Sequence, residues 1–434
     1  MATGYQHASD NLATLLQDTS IDELAGRLKP RHGNQPAQIP GGSIISPEAV
    51  ERRWAVLNAP EGVKEEMLDE RTAAQMGVFK HNSEHFIGTV KVPVGIAGPL
   101  RVNGLHAHGD YYVPLATTEA ALVASYSRGA KLLTAAGGVS CMVLNEGVSR
   151  SPALAFNSIE ELGRFLTWAL SHQDEIRNAA ESTTRFGKLK DLQISVEGNN
   201  LYVILTFSTG DAAGQNMATI ATDAALRWVL ENTPIQPRTA FIEANFSGDK
   251  KASAQSFQGV RGKKVTAEAR LPAELVTKGL HTSVERMVEY CRMATIGGVL
   301  SGTLGIQGHY ANGLAALFIA CGQDPACVAE AAVGTTRLET TPDGGLYIAV
   351  TLPNLIVGTV GGGTALPSQR AGLDILGLAG PGHAGALAEV TAALCLAGEL
   401  SIIGAFCANE FTSAHAKRAR GKVHRNTPAA GDKA

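Results

Sequence analysis

The chain has 434 residues, with 37 lysines and arginines against 40 aspartates and glutamates, and its formal net charge of -3 argues against a general nucleic-acid or membrane-surface binder. That length exceeds one simple core and predicts two or three domains. Six cysteines without a CxxC pair or zinc spacing predict buried, reduced thiols and no metal site, and 48 glycines beside 5% aromatics predict loops that backbone and ligands approach closely.

The opening MATGYQHASD lacks a basic-then-apolar leader, and the longest strongly apolar run, 314–321, falls far short of the ~18 residues of a membrane span, so a cytoplasmic protein without membrane contact is expected. Residues 1–86 read as a helical N-terminal domain, with a cap signal at Asp18, Thr19 and Ser20, a break over 33–42 and a second helix opening at Ser46 and Pro47. The text VKVPVGIAGPLRVNG then predicts strand, glycine turn and strand, closing in a hairpin at Asn103 and Gly104. It leads into VPLATTEAALVASYSRGAK, which predicts a small-residue helix over 119–133 capped by Thr117 or Thr118. Glu119 would lie in its first turn, where free N–H groups and the helix dipole favour an acid in any case. Ser125 and Arg128, three apart, share a face that makes an anion contact possible.

A strand, CMVLNEGVSR, ends at Arg150. Residues 152–241 then read as strand 152–157, helix 158–180, strands 189–196 and 201–208, helix 214–231 and strand 238–245. That βαββαβ order is the ferredoxin-like arrangement, and it predicts a small domain inserted between 87–151 and 242–415 of a larger one. Within the insert, GDAAGQNM puts Asp211, Gly214 and Asn216 at a helix mouth suited to a pyrophosphate.

Further on come a loop with Asp249, Lys250 and Lys251, a long helical region over 282–321 carrying His309 and Asn312, and Asp324 in a turn between Gly322 and Pro325. A strand hairpin near 346–352, the run Gly361, Gly362, Gly363, a helix over 386–415 and a flexible basic tail over 416–434 complete the chain. A formal GxGxxG at Gly380, Gly382 and Gly385 is set aside, because Pro381 removes a backbone donor and the preceding LDILGLA reads as helix. The expected class is α+β: a large α/β substrate domain with a long central helix, an inserted ferredoxin-like small domain and a helical N-terminal domain. Singly, Lys250 and Lys251 read as solvated loop residues, Asp324 as a turn residue and His415 as a favourable helix C-terminal charge.

Together these residues stand in a series of texts, EHFIGTVKVPVGIAGPL, PLATTEAALVAS, STTRFGKLKDLQISVEGNNLYV, GDAAGQNM, DKK, FIACGQD, GTVGGGT and AGELS, that over 84–415 resembles the 3-hydroxy-3-methylglutaryl-CoA reductases. GIAGPL and ATTE are similar to their first class, here without the membrane anchor of animal members. The resemblance implies four-electron reduction of the acyl-CoA to mevalonate and free CoA with two NADPH, on the route to isoprenoids. It implies Glu119 as catalytic acid, Lys250 as the oxyanion lysine, Asp324 as the linking aspartate and His415 as the group that protonates the thiolate. Arg150, Asp249, Lys251 and Arg292 would hold the acyl group, Ser125 and Arg128 would contact CoA, and His309 and Asn312 would line the site. Thr184 and Arg185 match the pair near the 2′-phosphate of NADPH, while Asp211, Gly214, Asn216, Gly361, Gly362 and Gly363 match other dinucleotide contacts. A homodimer or a tetramer of dimers with sites between subunits is implied.

The chain departs from the family pattern at Arg292 (usually lysine), at Tyr126 and Ser127 (commonly a CoA-contacting asparagine) and at Glu243 (usually serine). Asn409 and Glu410 replace a Gly-His pair, Ala414 stands where serine is common, and Gly421 stands where animal enzymes carry a phosphorylated serine. These departures leave open a reductase of another branched acyl-CoA thioester, or a non-catalytic CoA- or nucleotide-binding homologue.

Overall fold

A computed structural model describes residues 4–17, 19–31, 33, 36–259 and 261–409, which form fifteen α-helices and ten strands. The chain divides into two compact units, Met1–Thr89 and Val90–Ala434.

The first unit holds α1 (Tyr5–Leu15), α2 (Ile21–Arg27), α3 (Pro47–Leu57), α4 (Val63–Met67) and α5 (Glu70–Ala74). Ser20 and Ser46 cap α2 and α3 as their sequence context predicts, accepting from the N–H groups of Glu23 and Ala49. Asp18 lies outside the described residues. Val50, Trp54, Met76 and Phe86 form the apolar centre. Beside them Arg53, 1% exposed, donates to the carbonyls of Pro40, Gly41, Gly42, Ile44 and Phe86. This buried guanidinium organises the glycine break, and sequence reading gives no sign of it because its partners are all main-chain oxygens.

In the second unit the order is β1 (Val94–Gly104), β2 (His108–Ala116), α6 (Leu122–Ala135), β3 (Val139–Arg150), β4 (Ala153–Ala155), α7 (Ile159–Ser171), α8 (Gln173–Glu181), β5 (Lys188–Glu197), β6 (Asn200–Ser208) and α9 (Gln215–Asn232). There follow β7 (Thr239–Phe241), β8 (Gly262–Leu271), α10 (Ala273–Leu280), α11 (Val284–Ser301), α12 (Tyr310–Cys321), α13 (Val328–Ala331), β9 (Thr335–Thr340), β10 (Leu346–Leu355), α14 (Pro367–Leu376) and α15 (Ala384–Cys407). The strands pair mostly antiparallel, in the order β7-β4-β6-β3-β8-β10-β9, with β5 on β6 and β1 parallel to β3 over three residue pairs. Two apolar cores result. One gathers α6, α12, α15 and the strands around β8 and β10, and the other lies between β4, β5, β6 and α7, α8, α9.

Several expectations need correction. GIAGP makes no turn: β1 runs straight through it, with a register shift between Ala97 and Leu100 where Gly98 takes φ 138 and a Cβ would meet the Tyr111 carbonyl at 2.8 Å. The helix expected over 158–180 breaks at His172, whose Nδ1 lies 2.8 Å from the Trp168 carbonyl and ends α7. The long helical region over 282–321 is two helices, because Gly302 closes α11 in a left-handed conformation.

The long central helix is instead α15, 24 residues long, in which an 18-residue stretch has mean hydropathy 1.9, apolar enough by composition to cross a membrane, and is 89% buried inside the fold. Its two glutamates disguised the run, yet neither is exposed. Glu389 accepts from the N–H groups of Leu105, His106 and Ala107, and Glu399 from those of Gly308 and His309. All six cysteines are free and buried.

Candidate active site

The loop between β7 and β8 carries Lys250 in a left-handed backbone conformation, φ 55, which is strained for a side chain of this kind. Its ammonium lies 2.9 Å from Asp324 Oδ2. This hydrogen bond holds the Lys250 pKa above the ordinary lysine value. Burial opposes the ionised form of Asp324, but Lys250 and the Ala326 N–H together keep the carboxyl below its usual range. The pair is therefore ammonium and carboxylate at neutral pH, with both side chains about two-fifths exposed in the single chain. Asp324 caps the turn after α12, and that turn packs against the glycine run: a Cβ on Gly322 would meet the Gly363 carbonyl at 2.4 Å.

Around this pair lies an ion network of which sequence reading named Arg150 and Asp249 but missed Arg261 and Glu330. Arg150 donates to Asp249 at 2.6 Å and to the Thr219 hydroxyl at 2.7 Å. Arg261 bridges the other Asp249 oxygen, at 2.6 Å, to Glu330, which has no exposure and accepts the Lys250 N–H at 3.3 Å. Lys251 points to solvent and donates to the Asp249 carbonyl. A polar cavity of about 260 Å³ lies behind the loop, lined in part by Ser247, Ser253, Gln255 and Arg261.

A second cluster forms where α6 meets α12 and α15. Glu119 is not in the first turn of α6, as expected. It sits in a turn three residues earlier, and Thr117 caps that turn by accepting the Glu119 N–H at 3.0 Å. Asn312 Nδ2 donates to Glu119 Oε2 at 2.6 Å. His309 Nε2 is 3.2 Å from the Ser125 hydroxyl, which is 3.0 Å from Ser401, and Arg128 donates to the Ser401 hydroxyl and carbonyl. Ser125 and Arg128 thus share a face and are tied to α15. Behind His309, burial pushes the Glu399 carboxyl up to about 7 against the pull of the His309 and Gly308 N–H groups.

The two clusters lie at opposite ends of α12. Asn312 is in the first turn of α12 and Asp324 lies beyond its C-cap Gly322, so at 1.5 Å per residue the helix separates them by about 14 Å or more. Arg292 is in neither: on α11 it is exposed and pairs with Glu289 at 3.4 Å.

A third group surrounds the start of α9. Gly214 caps the helix in a left-handed conformation with no side-chain cap, leaving its first N–H groups without that partner. Ala212 bridges to Val360, which brings up Gly361 and Gly362, with φ 75 and 56 and nothing within 4 Å of where a Cβ would stand. Asn216 is exposed in the first turn. Thr184 holds a turn by accepting the N–H groups of Phe186 and Gly187, and a Cβ on Gly187 would meet Met217 of α9 at 2.7 Å, so exposed Arg185 lies close to that helix start. Asp211 has other work: its carboxylate accepts the Gly382 and Ala384 N–H groups and caps α15. The same contact fills the apparent GxGxxG with the protein's own acid.

Residues 49–420 match the family described as Hydroxymethylglutaryl-coenzyme A reductase. The chain belongs to that family. The chain is 40% identical over 374 residues to the 3-hydroxy-3-methylglutaryl-coenzyme A reductase of Pyrococcus horikoshii, covering 85% of this chain and 90% of that one. It is 42% identical over 350 residues to the enzyme of the same name from Aeropyrum pernix, covering 79% and 83%. Among solved structures, the class II 3-hydroxy-3-methylglutaryl-CoA reductase of Streptococcus pneumoniae bound to NADPH superposes with TM-score 0.62 at 22% identity, over 83% of this chain and 96% of that one, a likeness of fold.

Seen as a member of the hydroxymethylglutaryl-coenzyme A reductase family, the chain gives its departures physical settings. Tyr126 is fully buried, stacks on His309 at 4.6 Å between ring centroids and donates to the His309 carbonyl. Gly313 and Gly398 make room for it, since a Cβ on either would come within 2.5 Å of the ring or its hydroxyl. Glu243 is engaged with the Ser151 and Asn245 N–H groups at 3.2 and 2.9 Å. His415, Glu410, Ala414, Gly421 and the tail over 416–434 lie outside the described residues.

Proposed function

We propose that this chain reduces 3-hydroxy-3-methylglutaryl-CoA to mevalonate and free CoA with two NADPH, in the mevalonate route to isoprenoids. The Lys250–Asp324 pair at 2.9 Å carries the reading. Bound nicotinamide supplies the two hydrides. Lys250 stabilises the negative charge that develops on the thioester oxygen, by about 3–4 kcal/mol when preorganised, and Asp324 keeps it protonated. Glu119, aligned by Asn312, is the acid for the alcohol oxygen, and His415 protonates the departing CoA sulfur. Arg150, Asp249, Lys251 and Arg292 serve the acyl group, Ser125 and Arg128 serve CoA, and His309 lines the site. The start of α9, without a side-chain cap, and the open positions at Gly361 and Gly362, with Gly363 packed behind them on Gly322, suit a dinucleotide pyrophosphate, with Gly214 and Asn216 beside it and Thr184 and Arg185 towards a 2′-phosphate. Asp211 acts there by fixing the start of α15.

The same proposal makes 152–241 an inserted ferredoxin-like cofactor domain, supported by the antiparallel order β7-β4-β6-β5, and 87–151 with 242–415 the substrate domain. It also makes the site a joint product of two subunits in a homodimer or tetramer of dimers. The separation of the two clusters along α12 supports that, as does an exposed apolar stripe on α11, Met293, Ile296, Val299 and Leu300, beside Arg292. The GIAGPL and ATTE texts support the first class, and the free, buried thiols support a cytoplasmic location. The test is NADPH oxidation with 3-hydroxy-3-methylglutaryl-CoA, repeated with NADH and with other branched acyl-CoA thioesters. Oxidation of NADPH with the named substrate is expected, and none with any thioester refutes the reading.

A further inference from the structure

We infer that Glu330, clamped by Arg261, is the positioning residue that sets Lys250 for the chemistry, an inference that rests on the proposed reductase reading. The segment 324–331 holds Lys250 at both ends. Asp324 takes the ammonium at 2.9 Å, and six residues later Glu330 takes the main-chain N–H at 3.3 Å. The strained left-handed backbone of Lys250 persists only where neighbours over-determine it. Glu330 is placed to do so. It is wholly buried, and both its oxygens lie 2.6 Å from Arg261 Nη1. Arg261, 4% exposed in its side chain, reaches with Nη2 to Asp249, the residue before Lys250, at 2.6 Å. Asp249 is pinned in turn by Arg150, whose Nε is bound by Thr219 of α9. The Asp249–Lys250 peptide is therefore fixed from both sides by alternating charges. Were Lys250 to leave the left-handed region, its side chain would swing off Asp324.

The test is a double-mutant cycle on the full chain with 3-hydroxy-3-methylglutaryl-CoA and NADPH. Glu330→Gln should lower kcat about tenfold to a hundredfold through misplacement of the ammonium, with the KM for NADPH little changed and the alkaline limb of kcat moved to lower pH. Placed on Lys250→Ala, the same change should cost nothing further, because the group it positions is gone. A folded Glu330→Gln with unchanged kcat, or one whose full loss adds to that of Lys250→Ala, overturns the inference. If Glu330→Gln does not fold, Arg261→Lys enters the same cycle with the same two outcomes. An inactive unmodified chain refutes the reductase reading instead, so the two failures are distinct.

Discussion

Lys250 keeps its proton well into the alkaline range because Asp324 binds it. Lys250→Ala is expected to cost about 10²–10³ in kcat at pH 7 through the lost contact to the oxyanion, measured by steady-state NADPH oxidation, and near-normal turnover would refute its role. Glu399 makes a pH argument of opposite sense. Burial raises its folded pKa to about 7 from an ordinary 4.5, so its contribution to stability is complete below about 4.5 and is lost as pH rises through about 7. Thermal unfolding of Glu399→Gln between pH 5 and 8 should show a flatter slope against pH than the unmodified chain, and an identical slope would contradict the assignment. At this scale the sequence showed Lys250, Asp324 and Glu119 as residues worth naming, but not what holds them. Arg261 and Glu330 lie 69 positions apart, and their pairing comes from tertiary packing that spacing along the chain does not show.

At the scale of elements, local chemistry was legible where a side chain acts on its own neighbours. Ser20, Ser46 and Ser158 begin their helices as read, and the alternation of Leu201, Val203, Leu205 and Phe207 puts β6 on its core. Reading failed where a distant group decides. GIAGP looks like a turn until β2 is supplied to make a bulged strand, and the burial of α15, read as a helix over 386–415, is unexpected until Glu389 and Glu399 are matched with main-chain donors some 90 to 280 residues away. Asp211, a candidate cofactor contact, caps α15 through donors about 170 residues away. Asp211→Ala is expected to lower stability by about 1 kcal/mol in urea unfolding without cofactor. Unchanged stability with weakened NADPH binding would return it to the cofactor.

For the whole molecule, the decisive geometry is the length of α12, which places Glu119 and Asn312 at one end and Lys250 and Asp324 at the other. On the proposed reading, one acyl carbon is reached by the first cluster of one copy and the second cluster of another. The proposed homodimer would use the exposed stripe of α11, and on that proposal Met293→Glu with Leu300→Glu should yield a folded monomer, seen by sedimentation, with little activity. A monomer that retains full turnover would contradict the shared site. The sequence could show the residues of this site but not which chain supplies them, because spacing along a polymer says nothing about the copy a residue faces. The most direct measurement is to dissociate Lys250→Ala and Glu119→Gln chains, each inactive alone, and reassociate them in equal amounts. A shared site restores about a quarter of unmodified activity, since half the pairs are mixed and each mixed pair rebuilds one of its two sites. A mixture as inactive as its components, with mixed pairs shown to have formed, means that both residues serve the same chain's site and the account is wrong.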